Sequence, residues 1–218
     1  MRIPILCTTL LALFVAAAGA ADHFPLETGW TWSYRTPYGW TETVTVTAGT
    51  QVVQGVETRV LERVYTDDFG AYTLLHFLSE DAYGGVLLHG YRNLDIGSER
   101  SFVPPVLLLP GAPSVGATWS TPTTLHDGLH DLENPIVASD YTYRVVAEES
   151  IGVPAGVFSC LRVEAVEPDP SAARVQAEGT WYCEAVGIVK SGDYDLLQYD
   201  APVGTANRAW GTVKSFFH

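Results

Sequence analysis

The sequence predicts an all-β fold, a strongly curved antiparallel sheet or open β-barrel with a weak repeat dividing it into two halves. Three observations carry that prediction. Side-chain character alternates with period two from Trp30 onward, the signature of strands with one apolar and one wet face. No stretch places apolar residues at helical spacing over three turns with caps at both ends. Gly, Pro, Asp and Asn punctuate short gaps between the alternating runs.

The first element is a hairpin. Thr36-Pro-Tyr-Gly39 is a turn in which proline presets φ and glycine provides the exit. Beyond it, Trp40, Glu42, Val44 and Val46 share one parity, while Thr41, Thr43, Thr45 and Thr47 share the other. Further strands are expected at Thr58–Thr66, Ala71–Leu78, Gly85–His89, Tyr141–Glu148, Phe158–Val166, Arg174–Cys183, Gly187–Ser191, Tyr194–Tyr199 and Ala209–Phe216, giving roughly 10 to 12 in all. Two segments read as irregular connections: Phe102–Pro113, with its four prolines around Val106-Leu-Leu-Leu109, and Thr121–Asp140. The repeat is seen in Gly29-Trp-Thr-Trp-Ser33 against Gly116-Ala-Thr-Trp-Ser120, and in Gln54-Gly-Val-Glu-Thr58 against Ala155-Gly-Val-Phe-Ser159. The two spacings differ, which requires an insertion in the second copy.

Composition narrows the partners. Twelve basic residues face 25 acidic ones in 218, for a formal charge of -13, and Lys190 and Lys214 are the two lysines. Nucleic acid is excluded as a partner, because phosphate binding requires clustered cations that displace counterions. Met1 to Ala20 reads as a signal peptide, with one positive charge, a short apolar run and Ala18-Gly19-Ala20 before the cut. Residues 21–218 then form one exported domain with 11 basic against 25 acidic residues, a charge of -14. No later segment is long and apolar enough to span a membrane. Cys7 leaves with the signal, and the remaining Cys160 and Cys183 are expected to form one disulfide in an oxidising compartment, periplasmic or extracellular.

Candidate chemistry is sparse. His126, Asp127, His130 and Asp131 repeat a His-Asp pair four residues apart, which on a helix would put two imidazoles on one face as a zinc site needs. Gly128 and Leu129 interrupt the pairs, and no glutamate stands where a zinc hydrolase needs a base. There is no nucleophile elbow, phosphate loop or Cys-x-x-Cys motif, so no catalytic set and no cofactor is implied. Arg35, Arg59, Arg63, Arg144 and Arg162 lie in expected strands and are read as partners of neighbouring glutamates. Aromatics are the richer population: Trp30, Trp32 and Tyr34 share a parity, with Trp40, Trp119, Trp181, Tyr182 and Trp210 elsewhere. On a concave face, Trp30, Trp32, Tyr34, Trp40 and Trp119 would line a pocket for a lipid-like ligand or stack on a glycan, the alternative being ordinary core packing.

Phe24-Pro-Leu-Glu-Thr-Gly-Trp-Thr-Trp-Ser-Tyr34, Val153-Pro-Ala-Gly-Val-Phe-Ser-Cys160 and Trp181-Tyr-Cys-Glu-Ala-Val-Gly-Ile-Val-Lys190 occur in that order along the chain. Together they resemble a group of bacterial exported proteins similar to the periplasmic lipoprotein-carrier (LolA/LolB-like) superfamily. The resemblance implies a curved antiparallel sheet around an acyl-chain cavity and carries no catalytic residues. The carriers close their cavity with helices, for which this sequence offers no candidate.

Three functions follow as expectations. The first is a non-enzymatic envelope protein that binds or carries an apolar or amphipathic ligand on a concave aromatic face. The second is an interaction module presenting Phe102, Val106, Leu107, Leu108 and Leu109 to an envelope partner. The third is a metal-dependent hydrolase centred on His126 and His130.

Overall fold

A computed structural model describes residues 23–130, 132–166 and 179–202. The expected signal peptide, the start of the Arg174–Cys183 strand, the Ala209–Phe216 strand, Trp210 and Asp131 lie outside those residues. Every element among the described residues is a strand: β1 (Thr31–Arg35), β2 (Thr41–Val53), β3 (Val56–Asp67), β4 (Gly70–Glu80), β5 (Val86–Asn93), β6 (Ser98–Leu109), β7 (Thr118–Asp127), β8 (Pro135–Val153), β9 (Gly156–Ala165), β10 (Thr180–Cys183), β11 (Gly187–Ser191) and β12 (Tyr194–Asp200). Each pairs antiparallel with its chain neighbours, and β1 pairs with both β2 and β12. The sheet is therefore a closed up-and-down barrel rather than an open one, and closure leaves no sheet edge to be protected.

Alternation along β2 sets the facing of the whole wall. Glu42, Val44 and Val46 are buried while Thr43 is exposed. Register carries that inward face from strand to strand: Val46, Val44 and Glu42 lie opposite Leu61, Arg63 and Tyr65, which lie opposite His76, Leu74 and Tyr72. His76 lies opposite Tyr91 in turn. Side chains facing each other across a ladder point to the same side of a sheet, so all of these line the barrel interior.

Both segments read as irregular are strand. Phe102–Leu109 belongs to β6, Thr121–Asp127 to β7 and Pro135–Asp140 to β8. The prolines do have an effect, since the β6–β7 ladder runs only from Arg100–Val103 against Thr124–Asp127. Pro104 and Pro105 carry no N–H, so the ladder cannot continue through them. Side chains bridge the seam instead: the Thr123 hydroxyl donates to Pro104 O at 2.5 Å, Leu107 N donates to Thr121 Oγ1 at 3.2 Å, and Trp119 Nε1 donates to Leu107 O at 2.9 Å. Val106 and Leu109 are core residues and Leu107 and Leu108 are half-buried, so this run is wall rather than a presented loop.

The two repeated segments fall six strands apart. Gly29 precedes β1 and Gly116 precedes β7, at φ of 98° and 87°. Gly29 N donates to Val46 O while Val46 N donates to Trp30 O, and Gly116 N donates to Val145 O while Val145 N donates to Ala117 O. The second repeated pair forms the β2–β3 and β8–β9 turns. The barrel is thus two six-stranded halves with matching entrances.

The Cys160–Cys183 disulfide is formed, linking directly opposed residues of β9 and β10. Of the arginines expected to meet neighbouring glutamates, Arg63 pairs with Glu42 and Arg162 with Glu164.

Candidate functional site

Twelve strands can enclose more space than eight, whose interior side chains just fill. This barrel resolves the excess unequally along its axis. The end bearing the β2–β3, β4–β5, β6–β7 and β8–β9 turns is packed solid: Trp32, Val46, Leu78, Val86, Val106, Leu109, Val145, Val163 and Leu196 are each 0–1% exposed. Phe24 and Leu26, from the segment before β1, join that core, with Phe24 edge-on to Tyr182 at 6.1 Å.

Of the sequence-derived ligand residues, Trp30, Trp32 and Trp119 fall within this packed region, whereas Tyr34 and Trp40 lie toward the opposite end. Trp30 stacks on Trp32 at 5.4 Å, and their indole N–H groups donate to Glu27 at 3.1 Å and to Val186 O at 2.6 Å. Tyr34 lies opposite Glu42, at the level of Tyr65, and is buried with its hydroxyl donating to Ile188 O at 2.8 Å. Trp119 packs on Tyr143 at 5.7 Å, and half-buried Trp40 leans on Tyr38 at 5.8 Å.

Toward the opposite end the interior changes character. Tyr65 stacks face to face on Tyr72 at 4.8 Å and meets Tyr194 edge-on at 6.3 Å. His76 contacts Tyr91, Tyr91 contacts Phe102, and Phe102 meets Tyr141 edge-on, at 6.4, 6.3 and 5.7 Å. These rings come from β3, β4, β5, β6, β8 and β12 and form an aromatic belt around the interior wall. Tyr65, Tyr72, His76, Tyr91, Tyr141 and Tyr194 are only half-buried. Tyr65, Tyr72, Tyr91 and Tyr194 lie within two residues of the ends of their strands, so the belt lines the mouth of the barrel at this end.

One ion pair stands among the rings. Arg63 Nε lies 2.5 Å from Glu42 Oε1, with 21% of the Arg63 side chain and 4% of the Glu42 side chain exposed. The Tyr65 hydroxyl hydrogen-bonds Glu42 as well, and the Arg63 guanidinium lies 5.3 Å from the Tyr65 ring centre. Burial alone would lower the Arg63 pKa, but the facing carboxylate outweighs it and holds the group above its ordinary value. Burial, helped by the Arg63 charge, lowers His76 to about 3, so its imidazole is neutral at neutral pH. Burial also raises the phenols of Tyr34, Tyr65, Tyr91, Tyr143 and Tyr182, which therefore remain protonated donors. Nearer the rim, Arg100 pairs with Asp127 across β6 and β7.

The turns at this end carry exposed apolar tips: Tyr38 between β1 and β2, Phe69 between β3 and β4, and Leu94 and Ile96 between β5 and β6. Half-buried Asp67 and exposed Asp95 stand among them.

The His/Asp cluster does not assemble. Alternation along β7 sends His126 to the outer face, beside Ser101, and Asp127 to the inner face, in the ion pair with Arg100. His130 is exposed in the β7–β8 connection. The expectation of two imidazoles on one helical face is overturned because the segment is strand, and among the described residues no three His, Cys, Asp or Glu side chains gather to hold a metal ion. A separate surface cleft of about 350 Å³ lies at the packed end, lined by His23, Pro113, Ser114, Glu148, Ser159 and Glu184 beside the disulfide.

Reading the sequence for large aromatics favoured tryptophans and passed over Tyr65, Tyr72, Tyr91 and His76, while Arg63 was read as a glutamate's partner without Glu42 being singled out. One signal was present: Glu42 shares the parity of Trp40, Val44 and Val46, an acid on the apolar face of its strand.

No protein-family profile matches this chain, and no curated protein does so either. Among solved structures, the crystal structure of a candidate lipoprotein from Parabacteroides distasonis aligns with a TM-score of 0.44 at 14% identity, covering 82% of this chain and 98% of that one.

Proposed function

We propose that this protein is a non-enzymatic binding or carrier protein of the bacterial envelope that holds an apolar or amphipathic, lipid-like ligand in the barrel lumen. One observation carries the reading: inward-facing rings and the Arg63 side chain stay partly solvent-exposed toward one mouth of a closed wall, while the other end is packed to 0–1% exposure. An interior of tyrosine faces with a few fixed polar groups is the ordinary make-up of a small-molecule site. The Cys160–Cys183 disulfide fits an oxidising compartment. The ligand contacts differ from those read in the sequence, since Tyr65, His76 and Tyr91 take the place of the packed tryptophans.

Native mass spectrometry of protein isolated from a periplasmic extract, paired with titration by the uncharged apolar fluorophore N-phenyl-naphthylamine, tests the reading. A dissociable adduct, or fluorophore binding that a Tyr65→Ala, Tyr91→Ala double variant weakens, is the expected result. A bare protein mass together with no fluorophore enhancement would refute it.

A further inference from the structure

The polar equipment of the lumen restricts what the ligand carries at its polar end. Glu42 and Arg63 are already in contact at 2.5 Å, and the carboxylate is the more deeply buried of the two. An anionic ligand head that approaches Arg63 therefore meets a guanidinium whose charge Glu42 already offsets, and a buried carboxylate beside it that repels a second negative charge. A cationic head meets the mirror-image obstacle at Arg63. Arg100, the other guanidinium beside the belt, is likewise occupied by Asp127. His76 adds no positive charge, because its imidazole is neutral at neutral pH. What the lumen does offer is neutral: phenol hydroxyls, an imidazole and ring faces.

We infer that the lumen selects amphipathic ligands whose polar end is uncharged, a hydroxyl, ester or amide head on an apolar body, and rejects free carboxylates and phosphates, with the Glu42–Arg63 pair as the selectivity element. The inference rests on the lumen being the ligand site. It goes further in assigning Glu42 a role in specificity: the carboxylate offsets the Arg63 charge that a fatty acid or lipid phosphate would seek in the belt. A site that discriminates by setting a like charge against the ligand head acts against the wrong ligand rather than for the right one.

The test compares two ligands of equal chain length by displacement of N-phenyl-naphthylamine at neutral pH: monopalmitoylglycerol, which is uncharged, and palmitate, which is anionic. The native protein is expected to bind monopalmitoylglycerol at least about tenfold more tightly. Glu42→Gln, which frees Arg63, is expected to shift that ratio toward palmitate by a similar factor, and Glu42→Gln with Arg63→Gln is expected to lose the gain. Equal or tighter palmitate binding by the native protein overturns the inference while leaving the lumen reading intact. A folded Glu42→Gln protein with no gain for palmitate overturns the assignment to this pair. Failure of the fluorophore and both lipids to bind removes the lumen reading and the inference together. The native comparison requires no variant, so it decides even where circular dichroism shows Glu42→Gln unfolded.

Discussion

Raising the pH should unfold this barrel cooperatively, through its buried phenols. Tyr34, Tyr143 and Tyr182 are 5%, 4% and 1% exposed, and burial holds all three above the ordinary tyrosine value. Their folded-state pKa is raised, so the unfolded chain binds fewer protons in the alkaline range. The stability they confer is complete below about pH 10, the unfolded value, and falls as pH rises from there toward the folded values. One unit above the unfolded value, each such group has cost about 1.4 kcal/mol, and three together remove about 4 kcal/mol by about pH 11. That is a large share of the 5–15 kcal/mol typical of a domain. The assay is phenolate absorbance recorded alongside far-ultraviolet circular dichroism through an alkaline titration. The phenolate signal of Tyr34, Tyr143 and Tyr182 should appear only as the strand signal collapses. Tyr182→Phe should reduce the slope of stability against pH above 10 by about 1.4 kcal/mol per unit. All tyrosines ionising together near pH 10, with the strand signal intact, would refute the argument from burial.

On the acid side, His76 is lowered to about 3, so its contribution is present above its unfolded value near 6.5 and is lost as pH falls toward 3. Two units below 6.5 the loss is about 2.7 kcal/mol, and His76→Gln should flatten that part of the urea-measured stability profile. Reducing the disulfide, whose cysteines are 23 residues apart, should cost about 3 kcal/mol on the chain-entropy estimate, read as a lower denaturation midpoint with dithiothreitol. Thiol labelling of the unreduced, unfolded chain should leave both cysteines unmodified. Trp32→Ala should cost about 3–5 kcal/mol, since the ring is 1% exposed, stacked on Trp30 and hydrogen-bonded to Val186 O; a loss below about 1 kcal/mol would show that this end is not packed.

Much of the wall was legible residue by residue. The Thr36–Gly39 turn and β2 follow from Pro37, Gly39 and strict alternation, because both signals depend on local backbone preferences. β6 was not legible, because Pro104 and Pro105 read as strand breakers. What rescues the segment lies across the seam, where Thr121, Thr123 and Trp119 supply hydrogen bonds that the prolines cannot. His126 and Asp127 were read for a helix, and a strand separates them to opposite faces. The repeat was visible as two short segments at unequal spacing, and the six-strand offset gave it meaning.

By itself the sequence determined the strand-rich class, the disulfide pair and which residues alternate, since these are properties of neighbours in the chain or of cysteine count. Tertiary structure decided that the sheet closes, that Trp30, Trp32 and Trp119 fill one end, and that Tyr65, His76 and Tyr91 lie toward the other. The physical reason is that closure and filling depend on strand number and on register summed around the barrel. Whether an inward ring packs or faces water is set by residues several strands away. The Glu42–Arg63 pair shows both levels: parity along β2 marks the acid as anomalous, but only the register against β3 brings it to its cation.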